Sequence, residues 1–197
     1  MPWGKAAFRQ AEGAQPVSSA AAALQAYVED RFDHGPLRVL DLACGSGIIA
    51  VMLGLQRPAW NISGLDIQAH LIGLAQSNAA NLGLRIDFFE ADLRSFRAAE
   101  AYELIVANPP WLKAGSGLAS LDIARELSRR EISCTAADVM SCLKRNLKPG
   151  GEAVLVYPAS RLDELKSLAG NYLLDIIQAL PTAETNKYLI YHFKLRG

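Results

Sequence analysis

The chain has 197 residues, of which 51% are hydrophobic and 20% are charged. This length fits one domain with a short additional arm, and the composition excludes an intrinsically disordered chain. The formal net charge is zero, so a protein that coats nucleic acid through a strong overall positive field is excluded as well. We therefore expect one globular domain over residues 18–197, preceded by an N-terminal arm over residues 1–17.

The N-terminal residues lack the apolar core and cleavage site of a secretory signal, and no apolar run reaches membrane-spanning length. Three cysteines, Cys44, Cys134 and Cys142, are odd in number and lack the spacing of metal ligands. We therefore expect a cytoplasmic protein with no membrane partner and no metal. The protein's oligomeric state stays open, with a monomer favoured. Its cysteines should be reduced and packed as small apolar residues.

Helical and extended patterns alternate along the first half of the chain. Apolar residues at helical spacing predict a first helix from residue 18 to residue 32, with Ser18 or Ser19 as its cap. Because strands separated by helices form parallel βαβ units, the rest of this half predicts an α/β fold. The predicted strands are 37–42, 61–66, 84–89 and 102–107, and the predicted helices are 47–56 and 68–82.

The second half begins with a helix at 135–147, where Thr135 and Asp138 offer a capping box. A strand at 152–157 follows, and then a helix opened by Ser160 and Asp163. The last two apolar segments flank a loop at 181–186 and alternate as a hairpin does. These segments are 172–180 and 187–195, and we expect the final strand to run antiparallel in the sheet.

A glycine-rich turn follows the first predicted strand. Gly45 and Gly47 precede a helix, where glycines allow positive φ and let a ligand contact bare backbone. Residues 45–50 also fit the loose dinucleotide pattern G-x-G-x-x-A, which leaves an NAD-dependent oxidoreductase open. The carboxylate of Asp41 is badly placed beside a pyrophosphate but well placed for a cationic ligand with an amino group. It therefore favours S-adenosylmethionine.

Two further aspartates follow the next predicted strands. Asp66 ends strand 61–66, where a carboxylate can accept hydrogen bonds from both hydroxyls of a ribose. Asp92 follows strand 84–89, and we expect it beside the adenine amine of the same ligand. Any one of these aspartates could be an ordinary strand-end or capping residue. Because open α/β sheets bind ligands at the carboxyl ends of their strands, the three together predict a nucleoside site.

The tetrapeptide Asn108-Pro109-Pro110-Trp111 follows strand 102–107. Its prolines fix φ and remove two backbone donors, which leaves a stiff loop with free carbonyls. The Asn108 side-chain oxygen and the Pro109 carbonyl can accept two hydrogen bonds from a planar amine, and Trp111 offers a face on which a base or an amide can stack. We expect these four residues to be catalytic. The alternative is a rigid loop whose tryptophan fills the core.

These motifs together resemble the class I Rossmann-like methyltransferases over residues 18–197. The resemblance implies a seven-stranded, mostly parallel sheet with an antiparallel final strand, helices on both faces, and S-adenosylmethionine as the cofactor. The family's first motif commonly has glycine where this chain has Ala43. On this resemblance the residues expected to contact the cofactor are Asp41, Ala43, Gly45, Gly47, Asp66, Ile67, Asp92, Leu93 and Asn108.

In the families that the chain resembles, the tetrapeptide marks enzymes that methylate adenine, guanine in ribosomal RNA, or the glutamine amide of release factors. Tyrosine is their usual fourth residue, and Trp111 keeps the stacking face. A narrower resemblance, to the bacterial valine-tRNA adenine-N6 methyltransferases, rests on residues 123–125, 130–135, 138–139, 147–151, 157–158 and 161–162. Those enzymes modify an adenine beside the anticodon, so this resemblance implies an RNA substrate, and specifically tRNA.

Residues 113–148 carry seven basic and four acidic side chains, which could hold RNA phosphates or form a solvated helical surface. We predict a methyltransferase acting on an exocyclic amine of adenine in tRNA. Three alternatives stay open: a guanine amine of ribosomal RNA, a protein glutamine amide, and a cofactor-binding module without catalysis. The enzymes that methylate a glutamine amide carry an additional N-terminal helical domain, for which residues 1–36 are too few.

Overall fold

Seven strands form one sheet in the computed structural model, which describes residues 8–9, 19–32, 35–109, 134–182 and 185–197. The strand order is β3-β2-β1-β4-β5-β7-β6, and β7 alone runs in the direction opposite to the other six strands. This topology confirms the predicted mostly parallel sheet with an antiparallel final strand. The strands are β1 (Arg38–Leu42), β2 (Asn61–Asp66), β3 (Asp87–Glu90), β4 (Tyr102–Ala107), β5 (Leu147–Pro158), β6 (Leu174–Thr182) and β7 (Thr185–Leu195).

Helices cover both faces of the sheet, as predicted. They are α1 (Ser19–Arg31), α2 (Ile48–Gln56), α3 (Ala69–Asn81), α4 (Ala136–Asn146) and α5 (Leu162–Asn171). Helices α1 to α3 share one apolar cluster with Val39 of β1, whereas α4 and α5 share a second cluster with Leu40 and Leu42. This alternation follows from the period of two residues in a strand, which points neighbouring side chains to opposite faces.

The central strands are mostly apolar because both of their faces are covered, although Asp41 lies within β1 and Glu103 within β4. In β4 the side chains of Leu104, Ile105 and Val106 are all 0% exposed. Among the described residues, no helix combines the length and apolar character that a membrane crossing requires. The cysteines named above are buried free thiols, which confirms their prediction as reduced and packed.

Helix α4 begins at the predicted capping box. The Thr135 hydroxyl accepts a hydrogen bond from the Asp138 backbone N–H, and the Asp138 carboxylate accepts one from the Thr135 backbone N–H. The helix after β5 forms as predicted, but its predicted opening at Ser160 was wrong, because a 3₁₀ turn over Ala159–Arg161 precedes α5 and Ser160 does not cap it. The helix begins at Leu162, after the tighter turn has carried the chain out of β5.

Strand β3 begins three residues later than predicted because α3 ends in a Schellman motif. Gly83 has φ of 70°, and the Leu84 backbone N–H donates to the Ala79 carbonyl. The side chains of Leu84 and Ile86 then pack against the cluster under α1 to α3. The final hairpin also differs slightly, since its strands extend to Thr182 and from Thr185 into the predicted loop.

Helix α5 ends with a leucine in the conformation that glycine adopts after α3. Leu173 has φ of 61° and is 44% exposed, so little packing offsets the steric cost of a left-handed side chain. Leu173→Gly should therefore raise the free energy of unfolding by about 1 kcal/mol. For a chain of this size such a change corresponds to an increase in Tm of roughly 2–4 °C, measurable by calorimetry.

The matched variant is Gly83→Ala, which introduces the same steric cost after α3. Nothing lies within 4 Å of the added Cβ at this position, so the backbone conformation alone decides the outcome. We expect Gly83→Ala to lower Tm by a similar amount, roughly 2–4 °C. A lower Tm for Leu173→Gly would show that the exposed leucine contributes more by packing than it costs in conformation.

Candidate active site

The described residues of the predicted site lie at or near the carboxyl ends of four neighbouring strands. Leu42 of β1 pairs with Ala107 of β4 on one side and with Leu65 of β2 on the other. Asn108 therefore follows β4 beside the point where the glycine loop follows β1. Strand order reverses here, between β1 and β4, and such a reversal opens the crevice in which α/β sheets bind ligands.

The glycine loop has three consecutive odd-numbered positions in the left-handed region: Ala43 with φ of 59°, Gly45 with φ of 55° and Gly47 with φ of 79°. Nothing lies within 4 Å of a Cβ built on Gly45, so the backbone there faces open space. At Gly47 a Cβ would lie 2.9 Å from the Cβ of Ala75 in α3. Gly47 is thus required by packing, whereas Gly45 leaves its backbone accessible to a ligand.

Asp66 is tied directly to this loop. Its Oδ2 accepts a hydrogen bond from the Gly45 backbone N–H at 2.9 Å, and its Oδ1 accepts one from the Gln68 backbone N–H at 3.0 Å. The side chain is buried at 6% exposure. Oδ1 also accepts a longer hydrogen bond from the Gln68 Nε2 at 3.4 Å, whereas Oδ2 keeps a further acceptor position. These bonds orient Asp66 and leave capacity for a hydroxyl at Oδ2. Its contact with a ribose stays a prediction.

Asp41 is fully buried at 0% exposure. Its Oδ2 accepts a hydrogen bond from the Ala50 backbone N–H in the first turn of α2, at 3.0 Å. Its Oδ1 has no hydrogen-bond partner within the described part of the chain. Burial raises the pKa of Asp41 to about 8, with a further increase from the neighbouring charge of Asp66 and an opposing decrease from the Ala50 N–H. The carboxyl group is therefore largely protonated at neutral pH, which removes the charge on which its predicted attraction to a cationic ligand depended. Its contact with the cofactor stays a prediction.

The third aspartate is engaged by a neighbouring arginine. The Asp92 carboxylate accepts hydrogen bonds from the backbone N–H and from Nε of Arg94, both at 2.9 Å. The side-chain hydrogen bonds from Arg94 lower the pKa of Asp92 below its usual value. Ile67 is 44% exposed beside Asp66, whereas Leu93 is 7% exposed. Ile67 thus offers an open apolar surface, and the adenine contact predicted for Asp92 competes with Arg94.

Asn108 and Pro109 are the described residues of the predicted catalytic tetrapeptide. The Asn108 Oδ1 is buried and has no hydrogen-bond partner among the residues that the structure describes. Pro109 is buried as well. Pro110, Trp111 and the predicted basic residues before 134 lie outside the described residues. A buried acceptor without a partner is costly in a folded protein, so Asn108 Oδ1 is a strong candidate for a ligand contact.

Two further residues near the site were not predicted. Asn78 of α3 is 0% exposed and bonds to the glycine loop through the Ser46 carbonyl. The sequence did indicate this position, because Asn78 is a polar residue at helical spacing from Leu71 and Ala75, within the apolar face of the helix. Arg94 had no such signal, because a pairing two residues away depends on the conformation of the loop after β3.

The strand order, the glycine loop after β1 and the acidic residue ending β2 together define a class I Rossmann-like methyltransferase fold. The chain belongs to the methyltransferase small domain family, whose model matches residues 17–192. Membership of this family confirms the predicted methyltransferase class and its cofactor, S-adenosylmethionine. The open backbone at Gly45, the orientation of Asp66 toward the loop and the exposed Ile67 fit a nucleoside cofactor at this position.

Two curated relatives carry more specific names. A tRNA1(Val) (adenine(37)-N6)-methyltransferase of Aeromonas hydrophila is 34% identical over 143 residues, which is 71% of this chain and 59% of the relative. A release factor glutamine methyltransferase of Bacillus subtilis is 35% identical over 82 residues, or 41% of this chain and 28% of that protein. The chain thus spans about three fifths of the Aeromonas relative and a smaller share of the Bacillus one.

The fold is also similar to solved structures. A ribosomal protein L11 methylase from Lactobacillus delbrueckii subsp. bulgaricus superposes with a TM-score of 0.71 and 19% sequence identity, covering 96% of this chain and 86% of that one. At this level of identity the likeness concerns the fold alone. It confirms the predicted Rossmann-like architecture over nearly the whole chain.

Proposed function

We propose that this protein transfers a methyl group to the exocyclic amine of an adenine in tRNA. The observation that carries the proposal is Asn108 Oδ1, a buried acceptor without a described partner, which follows β4 beside the glycine loop. An amine is the kind of group that such an acceptor holds. The names of the Aeromonas and Bacillus relatives support an amino or amide nitrogen as the acceptor of the methyl group.

The residues after β1 and β2 would hold the cofactor. In this proposal the backbone of the glycine loop contacts the ligand at Gly45. Asp66 accepts hydrogen bonds from the ribose hydroxyls, and Ile67 packs against the adenine ring. S-adenosylmethionine supplies, when bound, an electrophilic methyl group on a sulfonium. Asp92 and Leu93 complete the adenine pocket once the Asp92 carboxylate shares its oxygens between Arg94 and the ligand.

Asn108 and Pro109 would hold the acceptor amine. The Asn108 side-chain oxygen and the Pro109 carbonyl each accept one hydrogen bond from the amine. These two bonds fix the plane of the amine and leave its lone pair directed away from both residues. Positioning of this kind carries most of the rate enhancement, because the orientation of two bound groups replaces a chance encounter in solution. A strong general base is not required, since the nitrogen can lose its proton after transfer.

An unpaired base in an RNA loop suits this arrangement. Such a base is already partly unstacked, so its entry into a pocket costs less than extraction from a duplex. Trp111 would stack on the base, and the basic residues from 113 to 144 would contact the flanking phosphates. Arg145 and Lys148 are engaged elsewhere, Arg145 with the Leu93 carbonyl and Lys148 with Glu103. Action on tRNA would place the protein in the cytoplasm, and none of these roles requires a metal.

The substrate is tested with tritiated S-adenosylmethionine and two tRNA transcripts. One transcript carries an adenine on the 3′ side of the anticodon, and its control carries guanine at that position and is otherwise identical. We expect label only in the first transcript and N6-methyladenosine in its nucleoside digest by mass spectrometry. Equal labelling of both transcripts, or no labelling of either, would contradict the proposed base.

The same assay separates the alternatives. Methylated guanosine from either transcript, or from ribosomal RNA, would support transfer to an exocyclic amine but contradict adenine as the methylated base. Label found only in purified release factor would reject RNA in favour of a glutamine amide, which the 82-residue match to the Bacillus relative favours. S-adenosylhomocysteine binding without transfer to RNA or protein would favour a cofactor-binding module without catalysis.

A further inference from the structure

A buried asparagine joins three separate parts of the chain close to the glycine loop. Asn78 of α3 is 0% exposed. Its Nδ2 donates to the carbonyl of Arg9 at 2.8 Å and to the carbonyl of Ser46 at 3.0 Å, and its Oδ1 accepts from the Arg9 backbone N–H at 2.8 Å. Both donors and the acceptor of this side chain are thus used, and all three partners are backbone groups.

The paired bonds to Arg9 hold a short stretch of the N-terminal arm against the domain. An amide side chain that donates to the C=O and accepts from the N–H of one residue reproduces the pairing between neighbouring strands. The preceding residue, Phe8, is 7% exposed and belongs to the apolar cluster under α1 to α3. Residues 8–9 are therefore docked by one apolar anchor and two hydrogen bonds.

The third bond acts on the glycine loop itself. Ser46 lies between Gly45, whose backbone N–H binds Asp66, and Gly47, which packs against Ala75 of α3. Fixing the Ser46 carbonyl orients the peptide between these two glycines. Because glycine has more backbone freedom than any other residue, a loop of this composition needs such an external restraint to keep one conformation.

We propose that Asn78 is a positioning residue that couples the docking of residues 8–9 to the binding of the cofactor. The Asn78 side chain restrains both residues 8–9 and the glycine loop. An ordered arm therefore favours the loop conformation that binds the cofactor, and a bound ligand in turn favours the ordered arm. This reciprocity follows from thermodynamic linkage. The inference rests on the proposed function insofar as that function assigns the glycine loop to S-adenosylmethionine.

The test uses the full chain and the variant Asn78→Asp, which changes the size of the side chain very little. An aspartate can still accept from the Arg9 N–H, but it loses both donors and faces the Arg9 and Ser46 carbonyls with its own oxygens. We expect the Kd for S-adenosylhomocysteine, measured by calorimetry, to increase by about 10-fold or more, as for the loss of one or two buried hydrogen bonds. The matched control is Asn81→Asp, an exposed residue on the same helix, which should leave Kd unchanged.

A purely structural role for Asn78 would lower Tm in the variant but leave the Kd of the folded protein at the wild-type value. That result would overturn the proposal. Failure of the wild-type protein to bind S-adenosylhomocysteine would instead contradict the proposed function, so the two failures are distinguishable. If Asn78→Asp does not fold, Phe8→Ala serves in its place, because it removes the apolar anchor of residues 8–9 and leaves Asn78 unchanged. We expect this variant to raise Kd by about 3-fold, and an unchanged Kd would overturn the coupling.

Hydrogen exchange provides a second readout. The Arg9 amide donates to Asn78, so it should exchange slowly in the wild-type protein and more slowly still with saturating S-adenosylhomocysteine. In Phe8→Ala, saturating S-adenosylhomocysteine should slow exchange at the Arg9 amide much less than in the wild-type protein. Exchange at Arg9 that does not respond to the ligand in the wild-type protein would show that the arm and the loop are independent.

Discussion

Asn108→Ala is expected to lower kcat for methyl transfer by at least about 100-fold, the effect of removing one preorganised hydrogen-bonding group from an active site. The variant removes an acceptor for the substrate amine and leaves the glycine loop intact, so the Kd for S-adenosylhomocysteine should stay at the wild-type value. Single-turnover kinetics with the tRNA transcript and calorimetry with the cofactor product measure the two quantities separately.

A matched control is Asn61→Ala, which makes the same change at the opposite end of the sheet. Asn61 is the exposed first residue of β2, and we expect wild-type kinetics from its variant. A wild-type kcat for Asn108→Ala would remove Asn108 from catalysis. A parallel loss of S-adenosylhomocysteine affinity would show that Asn108 holds the cofactor instead of the amine.

Asp41→Asn is expected to abolish a large pH dependence of stability. The pKa of Asp41 is about 8 in the folded protein, against an ordinary value of 3.8. Between these values the folded state binds more protons than the unfolded state, so the free energy of unfolding falls as pH rises. From about pH 5 to about pH 8 the wild-type protein should lose on the order of 4 kcal/mol from this one group.

Urea unfolding without cofactor, measured at several pH values in this window, tests the expectation. An asparagine can still accept from the Ala50 N–H and carries no charge at any of these pH values, so its variant should be the more stable protein at about pH 8. Groups that do not interact with Asp41 titrate equally in both proteins and cancel in the difference. Parallel stability curves would show that Asp41 does not change its protonation on folding.

The order and type of the elements could be predicted from the sequence because burial on both faces leaves a clear pattern. The observed bounds of β2 and β4 are the predicted ones, 61–66 and 102–107. Capping at Thr135 was predictable for a related reason, since all the groups involved lie within four residues. The site edge was predictable as well, because the carboxyl ends of parallel strands meet at one edge.

Contacts between distant parts of the chain could not be predicted in this way. The bonds of Asn78 to Arg9 span 69 residues, and no local pattern specifies which backbone groups a buried amide meets. Leu173 adopts a left-handed φ after the end of α5, where its own side chain disfavours that conformation, so its residue type gave no indication of it. The charge state of Asp41 likewise depends on complete burial, which becomes visible only once the sheet and α2 are assembled.

The reversal of strand order between β1 and β4 separates the residues proposed to bind the donor from those proposed to bind the acceptor. The two sets are separate in the sequence as well as in space. In the proposed function, residues up to about 93 would hold the methyl donor, and residues from Asn108 onward would hold the acceptor. Recombination between these positions would exchange one specificity without altering the other. A lineage with this fold can therefore acquire new acceptors by replacing a contiguous piece of coding sequence, while the donor half is inherited unchanged.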